Sequence, residues 1–483
     1  MPENLKSSVP PGLWASALRA ADALKGARAV TVAAHIDADG ISASAIAQTS
    51  LERAGARAEV KFFKKLDPQA IESLRSGGGD LTWFVDLGSG SVSRIEGSKA
   101  VVTDHHMPDT LAKGNEKTGQ MLLSDFSTVV HVNPHLHGIS GASDLSGAGS
   151  TFLAALAMDE RNADLAHLAV LGSVGDLQDQ RTRRLEGLNR AILKLAEEKG
   201  LVKTVEDIRY FGRETRPIHK LLEFSSDPFL PRITGNEDNS IAFLVELGIE
   251  LKDGDSWRTW SDLTDSEKTK IIESLRDHLE QSRRRPETIA RLVGEVYVLL
   301  KEEFATLLNA CGRHGRGEIG LKICAGDRGE ALTEGETLLK NHRSALSKAL
   351  SWAKGSGIVR MRNIQFFDAG DEIEDTIVGI VAGMLLGGEG ADRTAPMIAF
   401  AESTEYSDSP KVKASARGTQ DLVSRGMDLS AAIRAAAEGV GGIGGGHNIA
   451  AGATIPADRK KDFLSALDDL VGKQISARGP RRG

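Results

Sequence analysis

The sequence is poor in cysteine and in long apolar runs, and each shortage excludes a class of protein. Its two cysteines, Cys311 and Cys324, are too few for a disulfide framework, and no Cys/His cluster has zinc-site spacing. The longest apolar run, residues 377–386, is too short to cross a bilayer. The N-terminus lacks the apolar core of a signal peptide. We therefore expect a protein of a reducing, cytoplasmic compartment with no membrane partner.

Length, composition and charge describe an ordinary globular chain. The 483 residues are too many for one hydrophobic core, so two or three domains are expected. Hydrophobic residues make up 40% and charged residues 26%, which is typical of globular domains. The net charge of −7 and the isoelectric point near 6.0 argue against a protein that coats nucleic acid through its overall charge.

The first 200 residues alternate between short apolar runs and helical patterns. Residues 29–34, 60–63, 81–85 and 100–103 have the pattern of buried strands, and residues 67–75 have that of a helix. This alternation predicts an α/β fold with a doubly wound, mainly parallel sheet. In such sheets, ligands bind outside the carboxyl ends of the strands.

The segment HIDADG follows the first predicted strand and places His35, Asp37 and Asp39 at alternate positions. If the backbone is extended there, the three side chains point to the same side. Two close carboxylates repel each other unless a cation lies between them, which favours a divalent metal. A solvated, aspartate-rich turn is the alternative, and this motif alone does not separate the two.

Further carboxylates and imidazoles follow later elements of the same region. WFVDLGSG places Asp86 after a strand, VVTDHHMPD places Asp104, His105 and His106 after the next, and HLAVLGSVGDLQD ends a helical pattern at Asp176. Independent solvated turns are not expected to place such side chains at so many element ends. The combination therefore favours a metal site.

HIDADG, VDLGSG, TDHH, SGAGSTF, VGD and GGGHNIAAG occur in the order that marks the DHH phosphoesterase superfamily. With FGRETRP and EFATLLNACGR, the layout closely resembles the archaeal RecJ-like single-strand exonucleases, or GINS-associated nucleases, over nearly the whole chain. The domains implied are a DHH catalytic domain (1–200), a helix-rich insertion (201–300), a connecting segment (301–349) and a smaller α/β DHH-associated domain with a basic tail (350–483). The insertion suggests protein contacts rather than chemistry.

The resemblance also implies two divalent metal ions, with Mn²⁺ preferred and Mg²⁺ as the alternative. The ligands would be His35 and Asp37 for one ion, Asp39, His105 and Asp176 for the other, and Asp86 as a bridge between them. Four aspartates carry a charge of about −4, which two divalent cations balance, and oxygen and nitrogen ligands suit these metals.

Two neighbouring residues have implied roles beside the ligands. Asp104 would orient a ligand rather than bind metal. His106 would face the phosphate or the leaving oxygen, and with Asp86 it is the predicted catalytic residue; a hydrogen-bonded structural histidine is the alternative.

Substrate contacts are implied in the second half of the chain. The predicted residues are Asn309, Arg313, Ser415, Arg417, Gly444, Gly445, Gly446 and His447. A guanidinium can grip a phosphate with two hydrogen bonds, and glycines let the backbone approach an anion. A glycine run by itself is more often a flexible turn, but in the same chain as TDHH it indicates the DHH-associated domain.

Three other features are given weaker interpretations. His131, His135 and His137 have no nearby carboxylate, so we interpret them as surface histidines of a loop. The SGAG segment, residues 146–149, either binds an anion at a helix start or permits close helix packing. Cys311 has no partner in a nucleophile motif and is expected to be a small buried residue.

The sequence thus predicts a two-lobed hydrolase in which a dinuclear metal site faces a phosphate-gripping lobe across a groove. Its expected reaction removes nucleotides from the end of single-stranded DNA or RNA, in DNA replication or repair. One alternative is a phosphodiesterase of oligoribonucleotides or cyclic dinucleotides. The other is a non-catalytic replication scaffold that binds the GINS complex; it predicts eroded ligands, whereas all six are present.

Overall fold

The computed structural model describes residues 5–476, except residues 6, 96, 110–128, 211, 214–215, 226, 299–303, 388–391 and 404–409. The chain divides into two compact units, Met1–Leu339 and Lys340–Gly483. The predicted basic tail beyond residue 476 lies outside the described residues. Among the described residues, no helix is both long and apolar enough to cross a membrane.

The first 200 residues form a parallel sheet with helices on both faces. Its strands are β1 (Ala29–His35), β2 (Arg57–Phe63), β3 (Leu81–Val85), β4 (Ala100–Thr103) and β5 (Val129–Val132). The helices are α1 (Pro11–Lys25), α2 (Ala38–Arg53), α3 (Pro68–Arg75), α4 (Val92–Ile95), α5 (Gly147–Met158), α6 (Ala166–Gly175) and α7 (Gly187–Glu198).

The strand order is β2-β1-β3-β4-β5, and helices α2 and α3 lie in the connections between the first three strands of the chain. The central strands β1, β3 and β4 are buried on both faces: Val32 packs with helices α1, α2 and α5, whereas the adjacent Ala33 packs with Leu74 of α3 and Ile95 of α4. Burial on both faces explains why these strands have continuous apolar runs. The order of the strands reverses between β1 and β3, and this is where such sheets bind ligands.

The middle of the chain has its own small core. Its elements are β6 (Lys203–Ile208), α8 (Ile218–Glu223), α9 (Glu237–Glu246), β7 (Lys252–Asp253), β8 (Ser256–Trp257), α10 (Asp265–Gln281), α11 (Pro286–Ala290) and β9 (Val293–Val298). Strands β6 and β9 pair antiparallel. The buried Trp260 donates its indole N–H to Asp207 at 2.9 Å. Three helices follow: α12 (Phe304–Arg313), α13 (Gly317–Cys324) and α14 (Glu330–Ser356).

The second unit contains a six-stranded mixed sheet of order β10-β11-β12-β13-β15-β14. Its elements are β10 (Val359–Arg360), β11 (Gln365–Asp368), α15 (Val378–Gly387), β12 (Met397–Glu402), β13 (Lys411–Arg417), α16 (Gln420–Ser424), α17 (Leu429–Gly439), β14 (Ile443–Gly446), β15 (Ala450–Pro456) and α18 (Lys460–Ser476). The predicted fold class is confirmed: a parallel N-terminal sheet, a helix-rich middle region and a smaller C-terminal α/β domain. The exact domain boundaries stay predictions.

Candidate metal centre

Three neighbouring parallel strands end in residues with metal-binding side chains. Ala34 of β1 pairs with Val85 of β3, and Val85 pairs with Thr103 of β4. His35 is therefore brought beside Asp86, and the residues after Thr103 come next to them.

The first group of side chains consists of His35, Asp37 and Asp86. His35 Nδ1 lies 2.8 Å from Asp37 Oδ2 and 3.4 Å from Asp86 Oδ2. Asp37 caps helix α2 by accepting the Gly40 N–H at 3.0 Å. Burial opposes its charge, but the His35 imidazole and this N–H outweigh burial and lower the pKa of Asp37.

The second group consists of Asp39, His105 and Asp176. His105 Nε2 lies 3.8 Å from Asp39 Oδ2, 3.7 Å from Asp176 Oδ2 and 3.3 Å from Asp86 Oδ1. Asp39 comes from the first turn of α2, and Asp176 is the C-cap residue of α6. Asp86 thus points one carboxylate oxygen at each group. All six predicted ligands are gathered at one place.

The chemistry of the cluster fits divalent cations. In each group, the nitrogen and oxygen atoms that could bind an ion lie within 4.8 Å of one another. Burial and the charge of Asp86 raise the pKa of Asp39, and burial raises that of Asp176 against the opposing charge of His105. Asp86 Oδ1 is buried and accepts no hydrogen bond from any described residue. Cations stabilise buried carboxylates that lie close together, so the cluster can hold metal ions.

The orientation of His105 turns one ring nitrogen toward the carboxylates of the cluster. Its Nδ1 lies 2.5 Å from the carbonyl oxygen of Gly141, which can only accept a hydrogen bond. Nδ1 therefore carries a proton, and Nε2 faces the carboxylates. A Cβ on Gly141 would lie 1.9 Å from the carbonyl oxygen of His105, so no larger residue fits there.

Asp104 is occupied by other hydrogen bonds. Its Oδ1 accepts the His105 N–H at 2.7 Å and lies 2.8 Å from His106 Nδ1, while its Oδ2 accepts the Ser89 N–H at 2.9 Å. Burial opposes the charge of Asp104, but His106 and these donors outweigh it, so its pKa lies well below the usual value. In this arrangement Asp104 supports the two histidines, although it also lies within 4.8 Å of other potential ligand atoms.

His106 lies at the rim of the cluster. Its ring centroid is 4.4 Å from that of His105, and 39% of its side chain is exposed. Burial disfavours a charged imidazole, but Asp104 outweighs it and raises the pKa of His106.

The SGAG segment both binds an anion at a helix start and permits close packing. The anion is the Asp39 carboxylate of the same chain. Asp39 accepts the N–H groups of Gly147 at 2.7 Å and Ala148 at 2.9 Å, at the N-terminus of α5. A Cβ on Gly147 would also lie 2.3 Å from Asp86 Oδ1. A Cβ on Gly172 of α6 would lie 2.3 Å from Asp39 Oδ1. The small residues therefore let two helices contact the ligands.

Two interpretations from the sequence are wrong. The backbone is not extended from His35 to Asp39, because α2 begins at Ala38 and Asp39 is already helical. His131 is not a surface residue of a loop: it lies on β5, half-buried, with Nε2 2.8 Å from Ser89 Oγ. Burial lowers its pKa to about 4.

Helix α12 supports the turn that carries Asp37. Asn309 Oδ1 accepts the Ala38 N–H at 2.9 Å. A Cβ on Gly312 would lie 1.5 Å from the carbonyl oxygen of Ile36, so only glycine fits this contact. Burial lowers the pKa of the half-buried Arg313, against the opposing charge of Asp37. The substrate roles predicted for Asn309 and Arg313 stay predictions.

In the second unit, Ser415 and Arg417 share one face of β13, because side chains alternate along a strand. A Cβ on Gly379 of α15 would lie 2.7 Å from Arg417 Nη2, so the helix leaves room for the guanidinium. In register, Ser415 pairs with Gly452 of β15, which pairs with Gly445 of β14. Two of the three positions in this row therefore have no side chain.

The glycine run is a strand rather than a turn. Gly444–Gly446 belong to β14 at the edge of the sheet. A Cβ on Gly445 would meet no atom within 4 Å, and the positive φ of 137° at Gly446 turns the chain toward His447. The His447 N–H donates to the Ala450 carbonyl at 2.7 Å. The surface beside Ser415 and Arg417 is thus flat, and the predicted phosphate contacts there stay predictions.

Two parts of the chain match known domain families. Residues 210–293 match the DHH-CID domain, and residues 360–473 match the DHHA1 domain. An uncharacterized protein of Methanocaldococcus jannaschii is 28% identical over 459 residues, which cover 92% of this chain and 94% of that protein.

Several solved structures share the fold. RecJ from Thermus thermophilus in complex with Mn²⁺ has a TM-score of 0.56 and 19% identity over 96% of this chain and 55% of that one. This chain therefore spans about half the length of that RecJ. An exonuclease RecJ bound to manganese has a TM-score of 0.54 and 19% identity, covering 98% of both chains. CDC45 from Entamoeba histolytica has a TM-score of 0.60 and 11% identity over 92% of this chain and 95% of that one. The chain thus contains a DHH-CID domain and a DHHA1 domain, and its fold is similar to that of RecJ.

Proposed function

We propose that the protein is a metal-dependent exonuclease that hydrolyses phosphodiester bonds at the end of single-stranded DNA or RNA. The position of Asp86 carries the proposal: its Oδ1 lies 3.3 Å from His105 Nε2 and its Oδ2 lies 3.4 Å from His35 Nδ1. A carboxylate with one oxygen toward each of two histidine–carboxylate groups suits two divalent ions better than one. The Mn²⁺ in structures of RecJ supports manganese as the preferred metal, with magnesium as the alternative.

The six ligands divide between the two ions. His35 and Asp37 are proposed for one, Asp39, His105 and Asp176 for the other, and Asp86 for both. Two divalent ions in such a site lower the pKa of a nucleophilic water and neutralise charge on a phosphate. The chain's own part is to hold the ligands still: the Gly141 carbonyl fixes the His105 tautomer, and the N-terminus of α5 fixes Asp39.

His106 is the proposed contact to the reacting phosphate. With Nδ1 beside Asp104, Nε2 is the ring nitrogen that we propose contacts the substrate. Because Asp104 raises the pKa of His106, the imidazole is cationic over more of the neutral range than an ordinary histidine. A cationic donor can bind a phosphate oxygen or give a proton to the leaving oxygen.

Contacts to the rest of the strand are proposed from several residues. They are Asn309, Arg313, Ser415, Arg417, Gly444, Gly445, Gly446 and His447. Arginine and backbone N–H groups recognise the phosphate backbone rather than base edges, so we expect weak sequence preference. Both ends of the Asn309 amide have backbone partners, Ala38 and Gly175, so its contribution would come through the turn it holds.

Degradation of end-labelled single strands with Mn²⁺ tests the proposal. Labels at the 5′ and the 3′ end, on DNA and on RNA, would give polarity and substrate preference. Asp86→Asn provides the control for a contaminating nuclease. Comparison of a long strand with a dinucleotide separates the exonuclease from a small-substrate phosphodiesterase. No metal-dependent hydrolysis of any of these substrates would contradict the proposal.

A replication scaffold is the second candidate, because the fold also resembles CDC45. This candidate accounts for the fold but not for six converging ligand side chains. Binding of purified GINS complex by the wild-type protein and by Asp86→Asn tests it. Binding by both proteins, with no hydrolysis by the wild type, would favour the scaffold.

A further inference from the structure

The Gln178 side chain donates hydrogen bonds to one proposed ligand of the second group and to the backbone carbonyl that holds another. It follows Asp176 by two residues and is buried. Its Nε2 donates to Asp176 Oδ2 at 2.9 Å and to the Gly141 carbonyl at 2.9 Å. The same carbonyl accepts the Nδ1 proton of His105. The Gln178 amide therefore donates directly to Asp176 and, through the Gly141 carbonyl, shares an acceptor with His105.

The orientation of the Gln178 amide is set by a series of hydrogen bonds that begins at the backbone N–H of Ser146. The Ser146 N–H can only donate, and it donates to Asn189 Oδ1 at 3.3 Å. Ser173 Oγ lies 2.9 Å from the same oxygen and 2.9 Å from the Ala169 carbonyl, and its single proton can go to either acceptor. Asn189 Nδ2 must then be the donor to Gln178 Oε1, at 2.6 Å. Gln178 is left with its NH₂ group toward Asp176 and Gly141.

This order of donors has a chemical consequence for the ligands. A flipped Gln178 would place a carbonyl oxygen against the Asp176 carboxylate and the Gly141 carbonyl, and both contacts would be repulsive. Its one favourable contact would be with His105 Nδ1, which lies 3.3 Å from Gln178 Nε2 but already donates to the Gly141 carbonyl. In the observed orientation both protons of the amide are used, and the polar atoms of the buried Gln178 and Asn189 are paired.

We infer that Gln178 is a positioning residue of the metal centre: it orients Asp176 and the carbonyl that fixes the His105 tautomer, and Asn189 fixes the direction of Gln178. The inference rests on the proposed metal centre and concerns metal binding, not the substrate. Residues that hold metal ligands typically change metal affinity by about 10- to 100-fold when they are replaced.

The test is Mn²⁺ titration of the protein by calorimetry, without substrate. Gln178→Met keeps the side-chain length and removes the amide, and Gln180→Met is the matched control because Gln180 is exposed two residues further on. We expect Mn²⁺ binding to be at least about 10-fold weaker in Gln178→Met than in Gln180→Met. The loss should fall on one of the two ions, since the hydrogen bonds of Gln178 support the second ligand group. Melting of the metal-free proteins reports whether each variant folds.

Asn189→Asp tests the orientation without touching a ligand. The carboxylate of this variant can still accept from Ser146 and Ser173, but it offers Gln178 Oε1 no donor, so the Gln178 amide is free to flip. The added negative charge by itself would strengthen cation binding, whereas the flip weakens it; we expect weaker binding. Unchanged or tighter Mn²⁺ binding in both variants, or an equal loss for both ions, would overturn the inference. Failure of the wild-type protein to bind Mn²⁺ would refute the metal centre itself. If the variants hydrolyse substrate and bind Mn²⁺ as tightly as the wild type does, only the role of Gln178 is refuted.

Discussion

Asp39 accepts the backbone N–H of Gly147 at 2.7 Å, although the two residues are 108 positions apart in the chain. The N-terminus of α5 is thus used to hold a proposed metal ligand, and it is not available to a substrate phosphate. A helix N-terminus also favours the ionised form of a carboxylate, which is the form that binds metal. The same helix start confines Asp86, and this leads to the first prediction.

Gly147→Ala should weaken metal binding because its Cβ would lie 2.3 Å from Asp86 Oδ1. We expect Mn²⁺ affinity to fall by about 10-fold or more. Gly90→Ala is the control, since a Cβ on Gly90, in the same loop region as Asp86, meets no atom within 4 Å. Calorimetric titration measures both. Equal affinities would mean that α5 does not confine Asp86.

Asp86→Asn should abolish hydrolysis, since Asp86 is the only proposed ligand of both ions. Asparagine tolerates the left-handed backbone of this position, where φ is 57°, so the fold should be retained. We expect less than about a tenth of wild-type activity at saturating Mn²⁺. Circular dichroism checks the fold. A variant that keeps more activity than this would remove Asp86 from the bridging role.

Asp104→Asn should move the alkaline limb of the activity profile to lower pH. Asp104 raises the pKa of His106, so without its charge the imidazole loses its proton at lower pH. If the protonated imidazole is required, activity falls as pH rises through that pKa, and it should fall earlier in the variant. Rates of hydrolysis across the pH range measure the shift. His106→Asn should remove this limb, and a profile that both variants leave unchanged would assign His106 a structural role.

Arg417→Ala should weaken substrate use while metal binding stays the same. Loss of one charge-assisted hydrogen bond costs about 1.5 to 3 kcal/mol, or roughly 10- to 100-fold in kcat/KM. Arg425→Ala is the control, because Arg425 is an exposed arginine of the same domain, paired weakly with Asp421 at 3.9 Å. Steady-state rates and Mn²⁺ titration are both needed. A fall in metal affinity for Arg417→Ala would contradict a role in substrate binding.

The enzyme should require a single-stranded end and stall at duplex. The proposed contacts recognise the phosphate backbone, and aromatic residues, at 5% of the chain, offer little base stacking. Affinity should therefore fall steeply with salt. A blunt duplex and a strand of the same sequence, compared at equal concentration with Mn²⁺, give the test. Equal degradation of the two would rule out selection for single strands.

Local patterns were sufficient to predict the parallel sheet. Buried strands and helical crossovers have different periods, and candidate metal ligands lie at or just after three strand ends, at His35, Asp86 and His105. The position of Asp39 was also predictable from a local signal that the alternate spacing obscured: Asp37 is three residues before Gly40, whose N–H it caps, so the helix starts between the two acidic residues.

Long-range partners could not be predicted in this way. Gln178 and Asn189 are ordinary polar residues in sequence, and only the folded chain shows that they form one hydrogen-bonded path to Asp176. His131 was misinterpreted for the same reason, because its partner Ser89 lies 42 positions earlier in the chain. The glycine run at 444–446 forms a strand because β15 pairs with it, which no local property of glycine indicates.

The contact between Ala38 and Asn309 has a consequence for biosynthesis. The proposed ligands all lie within the first 176 residues, but the turn that carries Asp37 is held by a residue 271 positions later than Ala38. Because chains emerge from the ribosome N-terminus first, the parallel sheet can form well before that support exists. Tight capture of metal would then wait until α12 has been made, so a nascent or truncated chain would carry every ligand without a finished site.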